Sequence, residues 1–201
     1  MRRFFGLFLG VILACASALA ADEYKIDPRH SNVNFSVIHM TVSTVRGRFT
    51  DFDGKIVYDD KDISKSSVNV TIKVASITTD VQQRDDHLRS PAFFDAANHP
   101  EITFQSKSVE KTGKGFVAHG TLTIRGVSKD VDLPFELVGP VSTPKAKLLA
   151  ANGTLTINRQ DFGVAWNQPF NNGFAVSNDV KIDISVEANQ PLAPAPAAAA
   201  K

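Results

Sequence analysis

Cysteine is almost missing from this chain: one residue, Cys15, in 201. Cys15 lies inside a leader-like first stretch, so the rest of the chain has no thiol for a disulfide, a thiolate metal site or a nucleophile. Excess charge is missing too, with 22 Lys and Arg against 21 Asp and Glu. No basic run breaks that balance, which argues against a nucleic-acid partner. Long apolar runs are also absent. The stretch Phe4–Leu13 is too short for the roughly 20 residues a spanning helix needs. Neither a Gly-x-Ser-x-Gly elbow nor a Gly-rich phosphate loop occurs. The five histidines are His30, His39, His87, His99 and His119, and the two closest are nine positions apart. Metal sites usually draw two ligands from one local element, so no metal site is expected.

The ends of the chain are distinctive. Arg2 and Arg3, the apolar Phe4–Leu13 and the small-x-small Ala18-Leu19-Ala20 read as a secretory signal peptide over residues 1–20. Removing it takes away two positive charges and leaves a net charge of about −1. Cys15 follows Ala14 as a lipidation site does, but Leu13 fits poorly there and the Ala18-Leu19-Ala20 site comes after it. Residues 190–201 are mostly Pro and Ala without pattern and are expected to be a disordered tail. One domain over residues 21–189 remains, held by its core alone.

Within it, apolar and polar residues alternate with a period of two, the signature of strands with one buried face. Val33, Phe35 and Val37 share a face, as do Val68, Val70, Ile72 and Val74. Ile102 and Phe104 begin another strand. Phe116, Ala118, Gly120, Leu122 and Ile124 come next, then Val131, Leu133, Phe135 and Leu137, where Pro134 predicts an edge, bulge or bend. Leu149, Ala151, Gly153, Leu155 and Ile157, and finally Val180, Ile182, Ile184 and Val186, complete the series. Asp51-Phe52-Asp53-Gly54 reads as a tight reversal between two strands. Gly47, Gly120 and Gly153 lie inside strands, where they permit sharp bends. The expectation is an all-β fold: an elongated eight-stranded antiparallel barrel, packed solid or holding one ligand.

One stretch breaks the alternation: residues 80–97, with Arg84-Asp85-Asp86-His87-Leu88 and Phe93-Phe94-Asp95. It is expected to be a short helical insertion. Thr79 and Asp80 are candidate N-caps with Gln82 and Gln83 three positions on. Ser90 and Pro91 are candidates to start a second helix through Ala97. Asp85 and Asp86 project about 100° apart on a helix, which is wrong for an acid–base pair. Arg84, Asp85 and His87 are expected to form a structural clasp, with Asp85 orienting His87 and an arginine on a carboxylate, or else to order a ligand head group at a pocket mouth.

The apolar face itself is either an ordinary core or the wall of a cavity for a long apolar ligand. On the second reading the lining is Val33, Phe35, Val37, Phe104, Leu122, Ile124, Leu133, Phe135, Leu137, Ile157, Ile182 and Ile184. Burying hydrocarbon there is worth about 0.8 kcal/mol per methylene.

Longer blocks resemble a known family. Asp27-Pro28-Arg29-His30-Ser31, Val45-Arg46-Gly47-Arg48-Phe49, Arg84-Asp85-Asp86-His87-Leu88, Pro100-Glu101-Ile102-Thr103-Phe104, Gly120-Thr121-Leu122-Thr123-Ile124-Arg125-Gly126-Val127 and Asn158-Arg159-Gln160-Asp161-Phe162-Gly163 are similar to the YceI-like family. The resemblance spans about residues 22–188. It implies a lipocalin-like barrel in the bacterial periplasm, carrying or storing a polyisoprenoid or isoprenoid-quinone chain, with a link to stress in some members. It implies no catalytic residues and no cofactor beyond that lipid. Trp166 and Asn171-Asn172-Gly173 depart from the family pattern and leave the ligand's identity open. Transient contact with the inner membrane and a homodimer are the remaining partner expectations. The rivals are an enzyme or redox partner acting on the quinone, and a solid-cored structural stress protein.

Overall fold

Alternation along each strand fixes which side chains face inward, and the pairing of strands then fixes the shape. A computed structural model of the protein describes residues 21–170 and 173–192. The leader read at residues 1–20 lies outside the described residues. The segments are β1 (Asp22–Ile26), β2 (Asn32–His39), β3 (Ser43–Phe49), β4 (Phe52–Tyr58), β5 (Ser67–Lys73), β6 (Ile77–Thr78), helix α1 (Gln82–Arg89), β7 (Glu101–Thr112), β8 (Gly115–Ile124), β9 (Val127–Ser142), β10 (Ala146–Asn158), β11 (Pro169–Phe170), β12 (Gly173–Phe174) and β13 (Asp179–Pro191).

Three staves of the barrel are each built from two segments. β1 runs into β2, β3 into β4, and β5 into β6, because β1 pairs with β4 (Lys25 with Lys55) while β2 pairs with β3 (Val33 with Phe49). β4 pairs with β5 through Phe52 and Ile72, and β3 with β6 through Phe49 and Ile77. β7, β8, β9, β10 and β13 continue the antiparallel meander. β13 closes the ring, meeting β1 at Ala188 with Ile26 and β2 at Ile182 with Phe35. The result is a closed barrel of eight antiparallel strands with one short helix.

The break between β1 and β2 shows how a stave bends without losing its ladder. The Asp27 carboxylate accepts from the backbone N–H of Arg29 at 3.0 Å and caps the turn Pro28–His30. The Ser31 hydroxyl then stands in for the interrupted backbone, accepting from the N–H of Glu187 at 3.0 Å and donating to its carbonyl at 3.3 Å.

Several local expectations are corrected. Asp51–Gly54 is no reversal. Phe52 is buried and paired with Ile72, so the chain bends and continues along the same stave. Gly54 is required there because a Cβ would lie 2.5 Å from the Asn69 carbonyl oxygen. The second half of the 80–97 insertion is turns, not helix. The N–H groups of Phe93, Phe94, Asp95 and Ala96 bond back to carbonyls of Leu88, Arg89 and Ser90, and Asp95 is left-handed at φ 51°. The last strand extends through Gln190 and Pro191, two residues into the segment read as a tail; residues 193–201 lie outside the described residues.

The inward glycines make room for neighbouring side chains. At Gly120 a Cβ would meet the Phe104 ring at 2.6 Å, and at Gly153 it would meet the Phe135 Cβ at 3.3 Å. The Phe104 ring thus lies across Gly120 on the adjacent strand, an arrangement that shields a bare glycine in a bent sheet. Pro134 pairs with Val117 of β8, while the pairing of β9 with β10 begins one residue later, at Phe135 with Gly153. Proline therefore sits where its missing N–H has no ladder partner to disappoint.

Candidate functional site

The two ends of the barrel differ. At one end Tyr24, Ile26, Leu149 and Ala188 are at most 2% exposed and form a packed floor. At the other, α1 and the segment between β10 and β13 cover the barrel, with Ile77, Phe93, Phe162 and Val164 buried beneath them. Between them is a cavity of about 460 Å³. That size falls within the roughly 300–1,000 Å³ of small-ligand pockets.

Every apolar residue expected to line a cavity does face this one, from Val33 and Phe35 on β2 round to Ile182 and Ile184 on β13. Phe35, Val37, Phe104, Leu133, Phe135 and Leu137 are only half-buried despite pointing inward. Solvent therefore reaches the apolar wall, which a solid core would not allow. Sequence reading missed further wall residues such as Val45, Phe49, Val70 and Val186, although each obeys the same alternation. It also missed Arg159, Phe162, Val164 and Trp166, which lie in a connection with no periodicity.

That connection is held from inside. Asn158 caps the turn Arg159–Phe162. Arg159 is 5% exposed, and its guanidinium donates to the carbonyls of Ser177 at 2.9 Å, Val164 at 2.6 Å and Trp166 at 2.8 Å, with Val176 at 3.4 Å. No carboxylate pairs with it among the described residues. Burial alone pushes its pKa below the ordinary arginine value. From the other side, Arg125 donates to the carbonyls of Gly163 and Pro91, tying this connection to the 80–97 insertion.

Within the insertion the expected clasp has different partners. α1 begins at Gln82 with Val81 as an N-cap that supplies no side-chain bond, so neither Thr79 nor Asp80 caps it. Asp80 is left-handed at φ 62°, which turns Thr79 back toward the helix. Asp85, buried, then reaches out of the first turn to accept from the Thr79 N–H at 2.8 Å and from the hydroxyls of Thr79 and Thr78. Asp85 neither orients His87 nor pairs with Arg84. Arg84 instead donates through Nε to the Thr79 hydroxyl at 2.7 Å and through one terminal nitrogen to the Thr79 carbonyl at 3.0 Å. His87 is exposed, its ring edge-on to Phe93 at 4.9 Å and to Trp166 at 5.1 Å. Arg84 and His87, one turn apart on α1, both line the cavity; Asp85 does not.

Burial acts to raise the Asp85 pKa, but the hydrogen bonds from Thr79 and Thr78, with the Arg89 charge, outweigh it and hold the carboxyl below its usual value. The native state therefore binds fewer protons than the unfolded chain as pH falls. This stabilisation is complete well above the unfolded value of about 3.9 and is lost as pH drops through and below it. Asp85→Asn should cost about 1–3 kcal/mol at pH 7. Its deficit relative to the wild type should shrink as the pH is lowered toward about 2. Urea titrations across that range check this; a deficit constant with pH contradicts it.

Among the described residues, one group has metal-ligand spacing: Asp27, His30 and Glu187. The His30 Nδ1 lies 3.1 Å from Asp27 and 3.7 Å from Glu187. Asp27 is already engaged by the Arg29 backbone and guanidinium, which hold its carboxyl far below the usual range.

The closed barrel with its apolar interior has counterparts. A family model for the YceI-like domain matches residues 24–188. The UPF0312 protein of Serratia proteamaculans is 40% identical over 187 residues, covering 90% of this chain and 94% of that one. The crystal structure of the Campylobacter jejuni YCEI protein superposes with a TM-score of 0.66 at 35% identity, over 76% of this chain and 89% of that one. A polyisoprenoid binding domain from Saccharophagus degradans shares the fold at a TM-score of 0.61 and 16% identity, over 84% of this chain and 98% of that one. With nearly the whole barrel matched in sequence and in shape, this chain belongs to the YceI-like family.

Proposed function

We propose that the protein is a non-catalytic periplasmic carrier or store of a polyisoprenoid chain, held inside the barrel. The observation that carries this reading is the wall: a cavity of about 460 Å³ bounded by inward Val, Ile, Leu and Phe side chains of all eight staves. A linear hydrocarbon fits such a tube, and each methylene moved from water into it contributes about 0.8 kcal/mol. The Saccharophagus degradans domain is a polyisoprenoid binding one, which supports isoprenoid as the chain type. Catalysis has little to work with, because among the described residues no carboxylate lines the cavity to partner His39 or His87. Loading from the inner membrane follows from the ligand's insolubility.

Mass spectrometry of an organic extract tests this directly. Protein purified without detergent from a bacterial periplasm should release a prenyl-chain lipid in near-stoichiometric amount. If no apolar compound exceeds the level carried by an unrelated periplasmic protein, and added prenyl alcohols do not bind, the reading fails.

A further inference from the structure

The charged residues that line the cavity are all of one sign. Arg84 and Arg159 reach the wall, and among the described residues no Asp or Glu does. Both belong to the α1 end. Arg84 lies one helical turn before His87, the His87 ring meets Trp166, and the Trp166 carbonyl accepts from Arg159. Neither guanidinium has a carboxylate within ion-pair distance among the described residues, whereas Arg48 pairs with Asp80 and Arg89 with Asp86. Arg159 spends its donors on backbone carbonyls, so its hydrogen bonds are satisfied but its charge is not. Arg84 spends two N–H groups on Thr79. A guanidinium has about five N–H donors, so several of Arg84's remain for a ligand.

Cations beside an apolar wall act through a low effective dielectric, where a charge-assisted hydrogen bond is roughly twice as strong as a neutral one. Resting on the proposed isoprenoid reading, we propose that the preferred occupant ends in an anionic oxygen head, a phosphate or a carboxylate. Arg84 receives that head at the α1 end, and the uncompensated charge of Arg159 favours it there. The tail then lies along the apolar staves toward the floor of Tyr24 and Leu149. A neutral prenyl alcohol or quinone gains the burial of its chain but not this charge contribution.

The chain has a single tryptophan, Trp166, on the cavity wall, and its fluorescence reports occupancy. Geranylgeranyl monophosphate and geranylgeraniol share a tail and differ in the head, as palmitate and palmityl alcohol do. Titrated into the full chain, at least one anionic member should bind about tenfold or more tightly than its alcohol, and added salt should narrow the gap. The pair with the larger gap identifies phosphate or carboxylate as the head. Arg84→Met should bring the gap below about threefold by weakening the acid far more than the alcohol; Arg84→Lys should keep most of it. Alcohol binding retained in Arg84→Met shows that the variant's cavity is intact. Equal binding of acid and alcohol in both pairs, or a preference that survives Arg84→Met, overturns the inference and leaves the carrier reading standing. Binding of none of the four overturns both.

Discussion

Replacing Ala151 with tryptophan should abolish lipid loading while the barrel stays folded. Ala151 lies on β10 between Leu137 of β9 and Val186 of β13, faces the cavity, and is only half-buried. Its methyl group therefore has empty space in front of it, and an indole there intrudes on the ligand's path instead of on packed neighbours. Gly120 is a poorer choice, because a Cβ at that position meets the Phe104 ring and the Gln105 carbonyl at 2.6 Å. Excluding one five-carbon prenyl unit forfeits about 3–4 kcal/mol of burial. At about 1.4 kcal/mol per tenfold, that is a few hundred-fold in affinity. Extracted lipid should fall to background, with unchanged circular dichroism and elution volume. Full loading of a folded Ala151→Trp protein contradicts a ligand threaded through the barrel.

Arg159→Met should produce the largest loss of stability of any single change at the mouth. The methionine keeps much of the side-chain volume but leaves the carbonyls of Val164, Trp166 and Ser177 without their donor, while that of Val176 keeps Asn167 Nδ2 at 2.8 Å. Each buried acceptor left unpaired costs about 1–3 kcal/mol; some regain water, so about 3–5 kcal/mol in total is expected. Trp166 should become more solvated, with red-shifted emission, because its backbone is one of the released groups. Arg159→Lys should recover only part of the loss, since an ammonium cannot direct the planar fan of donors these carbonyls receive. Urea denaturation of the three proteins checks this. A midpoint for Arg159→Met within about 0.5 kcal/mol of the wild type shows that the arginine does not hold this connection.

Most of the wall was legible because a strand has only two faces. Val33-Phe35-Val37 and Val180-Ile182-Ile184-Val186 declare their inward side by period alone, and enough such strands without helices between them must close on one another. Closure, bends and space were harder. Asp53-Gly54 has the composition of a hairpin turn, yet its glycine answers to the Asn69 carbonyl of a neighbouring stave, a contact with no local trace. Gly47, Gly120 and Gly153 were legible as bends, but the Phe35 and Phe104 rings that lie over the first two were not. In the insertion, the residue types were right and the partners were not. Asp85 and Thr79 are matched by a left-handed Asp80, which composition does not announce. Arg159 was the least visible, because its partners are carbonyls, and every residue has one.

Whether the interior is a binding tunnel or an accidental void is the central claim, and a crystal structure of protein saturated with a prenyl lipid tests it most directly. The account predicts continuous elongated density between Phe35, Phe104 and Leu155, with its head toward Arg84 and its tail toward Leu149. A cavity that stays empty or holds only water, while any lipid sits on the outer surface, contradicts it.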